Sequence, residues 1–184
     1  HVRLVGHGNS GNTWNSVSEV EIYGAGGSAP PTAVQLTVAS ASASSYQEPN
    51  LPSLVLDSNL DTRWSTEGIG EYLVLPLAED PELESVKIAY QRGDERVSTF
   101  DLLVSMDGAT WETVLSGQSS SGSTLQLENY GLNQILARYV RIVGLGNSSN
   151  DWNSITEVEV WGTVPSVCFD CNGNGLPDGW EERW

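Results

Sequence analysis

The sequence contains few of the residues that build disulfide frameworks, zinc sites and membrane spans. Its 184 residues include only two cysteines, Cys168 and Cys171. Two cysteines do not frame a small disulfide-rich fold, and no four-cysteine zinc pattern or redox βαβ context accompanies them. They are either a local disulfide or two free thiols. No run approaches the roughly 20 apolar residues that a membrane helix needs, so we expect no membrane insertion.

Positive charge is also scarce. Eight lysines and arginines stand against 24 acidic residues, which gives a formal net charge of -16 and a pI of about 4.2. Because nucleic-acid binding depends on a basic surface, we expect no nucleic-acid partner. The acidic surface has two compatible interpretations. It keeps the protein solvated in salt, and it concentrates some carboxylates for metal binding.

The residues of common catalytic centres are missing as well. His1 and His7 are the only histidines, and both lie in the N-terminal segment. The chain has no HExxH, P-loop, nucleotide fingerprint or Ser/His/Asp order. Paired carboxylates are weak evidence in so acidic a sequence. We therefore predict that the chain is not an enzyme and that any catalytic module lies elsewhere in a larger parent protein.

What the sequence does contain is an internal repeat. Residues 2–24 match residues 140–162 without a gap, with 15 identical positions at a constant offset. This spacing is the length of a domain and too long for a solenoid repeat. Residues 1–24 are therefore interpreted as the closing strands of a preceding domain, and the Gly/Ser/Pro-rich residues 25–32 as a linker. The complete domain is predicted over residues 33–162, followed by a linker and loop over residues 163–184.

The predicted domain has the pattern of an all-β protein. Short β-branched or alternating runs are separated by turn residues, with turns predicted at 106–108 and 129–131. No stretch has a 3.6-residue apolar period over the length of a helix, which favours a sandwich or barrel. The predicted strands cover residues 73–75, 86–90, 100–104, 113–115, 139–143 and 157–161.

Three segments resemble those of discoidin, or coagulation factor 5/8 type C, domains. They are the run Leu56–Ser65, the turn Val104–Trp111 and the closing strands that include Ala137–Ile142 and Glu157–Gly162. They occur in the family's order and cover nearly the whole predicted domain. The variant Trp152–Glu157 is most similar to family 32 carbohydrate-binding modules of bacterial polysaccharide-degrading enzymes. The resemblance implies a discoidin-like jelly-roll β-sandwich.

The resemblance also implies a structural calcium ion. In the family's arrangement Asp57 gives a carboxylate, Val55 and Asn59 give carbonyls, Thr62 gives an oxygen, and Glu157 returns from the last strand. Calcium prefers six to eight such oxygens, and a tight acidic loop can supply several. The alternative is an acidic turn that holds no ion.

A glycan site on the loops at one edge of the sandwich is implied in the same way. Arg92 aligns with a sugar-binding arginine of the family and Arg96 lies near a second polar contact, while Glu67, Asn147 and Trp152 lie on neighbouring loops. Since guanidinium groups fork onto carboxylates, we expect an acidic polysaccharide or a cell-surface glycan. The alternatives are that both arginines pair with nearby acids and that the tryptophan serves packing.

The C-terminal tail fits a twelve-residue EF-hand loop at its informative positions. No entering helix precedes it, so it resembles thrombospondin type 3 or dockerin-like calcium loops, and the alternative is a glycine-rich turn without metal. The predicted ligands of this second calcium are Asp170, Asn172, Asn174, Leu176, Asp178 and Glu181.

Two functions from different classes follow from these patterns. The first is a non-catalytic carbohydrate-binding module of a larger extracellular protein, which binds acidic polysaccharide. The second is a structural or adhesive repeat unit of an extracellular assembly. In that case residues 1–24 complete a neighbouring domain by strand addition, and the partner is a second copy of the chain.

Overall fold

The computed structural model describes residues 32–164 continuously. The chain divides into two compact units, His1–Pro30 and Pro31–Trp184. The predicted linker over residues 25–32 lies outside the described residues except for its last position, and the C-terminal calcium loop and both cysteines lie outside them entirely. In the described part no helix is long and apolar enough to cross a membrane. The described residues of the first unit are all exposed, and they are Val5, His7, Ser10, Gly11, Thr13 and Trp14.

Residues 32–164 of the second unit form ten strands and one short 3-10 helix, Pro52–Leu56, which confirms the all-β prediction. The strands are β1 (Val34–Gln35), β2 (Ser42–Ala43), β3 (Trp64–Glu67), β4 (Tyr72–Pro76), β5 (Glu82–Tyr90), β6 (Ser98–Ser105), β7 (Glu112–Ser119), β8 (Glu128–Leu136), β9 (Tyr139–Asn147) and β10 (Trp152–Thr163).

These strands form two antiparallel five-stranded sheets, the sandwich that the sequence predicts. One sheet has the order β1-β10-β5-β8, with β3 also paired to β10, and the other has the order β2-β4-β9-β6-β7. The twelve-residue strand β10 is long enough to pair with two partners on one side. On that side its residues Trp152–Ile155 bond to β3 and its residues Trp161 and Gly162 bond to β1, while Ile155–Thr163 bond to β5 on the other side.

The core lies between the sheets and follows the alternation of the strands. In β9 every second residue is buried, as in Val140 and Ile142, because successive side chains of a strand point to opposite faces. Trp64 at the start of β3 is fully buried, and its indole N–H donates to the carbonyl of Ser45 at 2.9 Å. This bond satisfies the polar atom of a large apolar side chain.

One prediction about local structure is wrong. Residues 129–131 were expected to form a turn, but they lie inside β8 and pair with β5. β8 is at the edge of its sheet, and its residues are exposed or half-buried. An edge strand with a solvated face tolerates asparagine and glycine, so its composition imitates that of a loop.

The turn between β6 and β7 is held by one carboxylate. Asp107 accepts hydrogen bonds from the backbone N–H groups of Thr110 at 2.7 Å and Ala109 at 2.8 Å, and from the hydroxyl of Ser105 at 3.0 Å. These bonds stabilise the charged form, the N–H of Thr110 most, and lower the pKa of Asp107 to about 2.

We expect the carboxyl carbon of Asp107 to titrate with a midpoint near 2 in an NMR pH series. Because this folded-state pKa is lower than that of an unfolded chain, the stabilisation by the turn is complete above about pH 4 and is lost as the pH falls through about 2. Exposed Asp61, for which no hydrogen bond to its carboxylate is found among the described residues, is the control. A midpoint near 4 for Asp107 would contradict the turn geometry.

Candidate functional site

A polar pocket of about 230 Å³ opens where β3, the start of β10 and the turn after β5 meet. Other pockets in the described part are as large, so the chemistry of the lining distinguishes this one. It combines two guanidinium groups, two amides, two hydroxyls and one indole. The lining residues are Gln47, Arg63, Ser65, Gln91, Arg96, Trp152 and Ser154.

Backbone hydrogen bonds tie the walls of this pocket to one pair of strands. Ser65 of β3 lies opposite Ser154 of β10, and their hydroxyl oxygens are 2.6 Å apart. The N–H of Gln47 donates to the carbonyl of Ser65 at 2.9 Å, and the N–H of Gln91 donates to the carbonyl of Ser154 at 3.2 Å. Three separate segments of the chain are thereby held at fixed positions around the pocket.

The two arginines of the pocket lack acidic partners. Arg63 and Arg96 are half-buried, the Nε atom of each is buried without a hydrogen-bond acceptor, and neither forms an ion pair with any described residue. Arg96 has only long contacts, at 3.3 and 3.4 Å, from a terminal nitrogen to the side-chain and backbone oxygens of Gln91. The pocket therefore carries positive charge that no described residue neutralises with an ion pair.

Trp152 forms part of the pocket wall at the start of β10 and is half-buried. The loop before it is held by Asn147, whose side-chain amide donates to the carbonyl of Trp152 and to Oδ1 of Asn150, both at 2.8 Å. The N–H of Trp152 in turn donates to Oδ1 of Asn150 at 3.1 Å. The indole is thus presented by a loop whose polar groups are already paired.

Asn153 joins two loops from inside the protein. Its side chain is buried, accepts a hydrogen bond from the N–H of Gly146 at 2.9 Å and donates one to the carbonyl of Gly68 at 2.7 Å. It also fills the space beside Gly144, where a Cβ atom would collide with the asparagine side chain. The turn after β3 and the end of β9 are therefore fixed relative to β10.

The structure brings together two of the five predicted glycan-binding residues, Arg96 and Trp152. Glu67 ends β3 and is exposed, and Asn147 supports the loop, so neither lines the pocket. The guanidinium of Arg92 pairs with Glu95, with Nε 2.7 Å from the carboxylate, and lies outside the lining, so its role in glycan binding stays a prediction. Its φ of +56° marks the tight turn in which this pair forms.

Sequence reasoning missed Arg63, Gln47 and Gln91. Arg63 lies in the first family segment, between the acidic loop Asp57–Thr62 and the buried Trp64. Only the pairing of β3 with β10 shows that it reaches the same pocket as Arg96. No local signal pointed to Arg63, because Asp61 lies two positions before it in the sequence.

The predicted calcium loop has oxygens that converge. The hydroxyl oxygen of Thr62 lies 2.7 Å from a carboxylate oxygen of Asp57 and 2.9 Å from the carbonyl oxygen of Asn59. A hydroxyl, a carboxylate and a carbonyl oxygen are therefore close together. No three acidic, imidazole or thiol groups cluster as a metal site among the described residues, so carbonyls must complete any coordination shell. Val55, whose carbonyl was predicted as a ligand, is buried in the 3-10 helix before the loop.

Glu157 reaches this loop from β10. It is buried, and its carboxylate accepts a hydrogen bond from the N–H of Ser58 at 2.9 Å. Ser58 has a φ of +58°, a left-handed conformation that directs this N–H toward β10. Burial is the main cause that raises the pKa of Glu157 to about 7, and the nearby Asp57 carboxylate adds to it. Two carboxylates held together, one of them buried, form a donor set that suits calcium.

The family of the chain follows from comparison with known proteins. The F5/8 type C domain model matches residues 35–158. The chain belongs to this family. A family 32 carbohydrate-binding module (CBM32) of AlyQ, solved in complex with 4,5-unsaturated mannuronic acid, is 42% identical with a TM-score of 0.66, and the match covers 69% of this chain and 97% of that one. This F5/8 type C domain is therefore a non-catalytic carbohydrate-binding module. The chain matches no curated protein sequence.

Two further structures place the module in context. A truncated AlyQ with CBM32 and alginate lyase domains is 39% identical with a TM-score of 0.68, and the match covers 73% of this chain and 35% of that one. The F5/8 type C chain thus spans about a third of that protein. A pectin-binding module is 22% identical with a TM-score of 0.66, covering 77% and 96% of the two chains, and this likeness shows the fold alone.

We expect Asn153→Ala to lower the free energy of unfolding by about 2 kcal/mol, since it leaves the N–H of Gly146 and the carbonyl of Gly68 without partners inside the protein. Urea unfolding followed by tryptophan fluorescence measures this change. The control Asn129→Ala, at an exposed position of β8, should stay within about 0.5 kcal/mol of the parent. Equal stability of the two variants would show that the loops do not depend on Asn153.

Proposed function

We propose that the pocket binds an acidic polysaccharide through its carboxylate groups. The observation that supports this is the pair Arg63 and Arg96, which share one pocket and have no acidic partner among the described residues, in a chain of net charge -16. Elsewhere in the described part Arg92 and Arg138 are each paired with a carboxylate, and Arg141, which has no ion pair, lies over the rings of Tyr72 and Trp111. A half-buried cation without a counterion is costly, and an anionic ligand supplies the missing partner.

The remaining lining fits a sugar ring. A guanidinium group forms two parallel hydrogen bonds with a carboxylate, and the amides of Gln47 and Gln91 can donate to and accept from hydroxyls. Trp152 offers an apolar ring surface against which the C–H face of a sugar can pack. Together these groups account for recognition of a ring that carries both an acid group and hydroxyls.

One similar structure supports an acidic ligand. The AlyQ module was solved with 4,5-unsaturated mannuronic acid, which carries a carboxylate. For this chain we infer a uronic acid polymer as the ligand class. An extracellular location follows, because such polymers belong to cell walls and matrices.

We also propose a calcium ion held by Asp57, Asn59, Thr62 and Glu157, with the carbonyl of Val55. When bound, the ion neutralises two carboxylates and joins the loop after the 3-10 helix to β10. The support is the convergence of oxygens around Thr62 and the approach of Asp57 to Glu157. The second calcium loop, at residues 170–181, stays a prediction.

We expect Arg96→Ala to weaken binding of an oligouronate by about tenfold or more, because it removes a charge-assisted hydrogen bond from the pocket. Isothermal titration calorimetry with oligomannuronate and oligogalacturonate measures the change. The matched control is Arg92→Ala, which removes the same charge from the same turn but outside the pocket. The proposed site is wrong if both variants lose affinity equally or if neither does.

We expect calcium to raise the unfolding temperature by about 5 °C or more at concentrations well above its dissociation constant, since a ligand that binds only the folded state stabilises it. Asp57→Ala should abolish the shift. Asp61→Asn, in the same loop but outside the proposed ligand set, should retain it. Differential scanning calorimetry of each variant, in calcium and in a chelator, measures the unfolding temperature. If calcium still raises the unfolding temperature of Asp57→Ala, the ion binds elsewhere.

A further inference from the structure

The proposed glycan pocket and the acidic loop adjoin in the chain. Thr62, whose hydroxyl holds Asp57 and Asn59, is followed directly by Arg63, which lines the pocket. On β10, Ser154 of the pocket and Glu157 of the acidic loop are three residues apart. Two separate segments of the chain, the residues before β3 and part of β10, thus connect the two sites within one and three positions of the sequence.

The position of Arg63 depends on its backbone. Among the described residues its side chain has no hydrogen bond and no ion pair, so nothing across the pocket holds the guanidinium. The backbone on its C-terminal side is fixed, because Trp64 is fully buried and pairs with Ile155 in β10. The backbone on its N-terminal side is the acidic loop, so the loop determines where Arg63 points.

The loop Asp57–Thr62 meets β10 at the carboxylate of Glu157, which accepts a hydrogen bond from the N–H of Ser58 at 2.9 Å. Within the loop, Asp57 accepts hydrogen bonds from the N–H of Asn59 at 3.0 Å and from the hydroxyl of Thr62 at 2.7 Å. A cation bound by both Asp57 and Glu157 would therefore join β10 to the segment that ends at Thr62, directly before Arg63.

We propose that the loop Asp57–Thr62 positions Arg63 in the pocket, so that recognition of the acid group depends on calcium although the ion does not touch the sugar. This inference rests on the proposed function and extends it. Arg63 acts as the link between the two sites, and Arg96, on the turn after β5, does not take part in the link.

The test is a binding series with oligomannuronate in calcium and in chelator, at a temperature well below unfolding of the calcium-free protein. For the parent chain we expect chelation to weaken binding about tenfold, the loss of one charge-assisted contact. Arg63→Ala should bind weakly in both conditions and change less than about twofold. Arg96→Ala should bind weakly but keep the parent's dependence on calcium. An equal loss on chelation in the parent and Arg63→Ala would overturn the proposal.

A second readout needs no sugar. The Nε–H resonance of Arg63 in the 15N-labelled parent chain should shift or sharpen as calcium is added, while that of Arg96 stays unchanged. If the parent chain fails to bind any uronate in calcium, the proposed function is wrong, and this titration still decides whether the loop positions Arg63. A resonance of Arg63 that does not respond to calcium would overturn the coupling even if the pocket binds uronates.

Discussion

The pairing of β3 with β10 is the interaction on which both candidate sites depend. It places Ser65 opposite Ser154 in the pocket and puts the buried Trp64 opposite Ile155. The acidic loop enters β3 from one end, and Glu157 meets that loop from the next residues of β10. Because strand pairing is set by backbone hydrogen bonds and by which face is buried, a slip of one residue would separate every member of both sites.

The distribution of charge explains why so small a pocket can be selective. In a chain of net charge -16, most surfaces repel an acidic polymer. An acidic polymer is attracted only where a cation has no acidic partner. The pocket holds two such cations, Arg63 and Arg96, neither of which forms an ion pair with a described residue. The acidic surface therefore suppresses binding at other places, while the two arginines supply the local attraction.

The sequence predicted the all-β fold well because its strands alternate and its closing strands recur. It predicted β8 poorly, since an edge strand containing Asn129 and Gly131 has the composition of a loop. Of the predicted glycan-binding residues, Arg96 and Trp152 lie in the lining of the pocket, while Arg92 pairs with Glu95 three positions away. The local sequence shows that an acidic residue is near each arginine, but it does not show whether the guanidinium reaches that acid. That the segment before β3 brings Arg63 to the pocket is visible only from the pairing of β3 with β10.

The internal repeat separates the scaffold of the site from its specificity. Residues Trp14, Asn15, Ser16 and Glu19 of the first copy stand where β10 has Trp152, Asn153, Ser154 and Glu157. In the described domain, Trp152 and Ser154 line the pocket, Asn153 bonds to two loops, and Glu157 accepts a hydrogen bond from the acidic loop. Because some of these roles are in binding and others in packing, the identity of the residues in both copies does not show which role is shared. Neither pocket arginine lies in the repeated segment. The proposed recognition of an acid group therefore depends on residues that precede β9, where a domain could change its ligand while β10 stays the same.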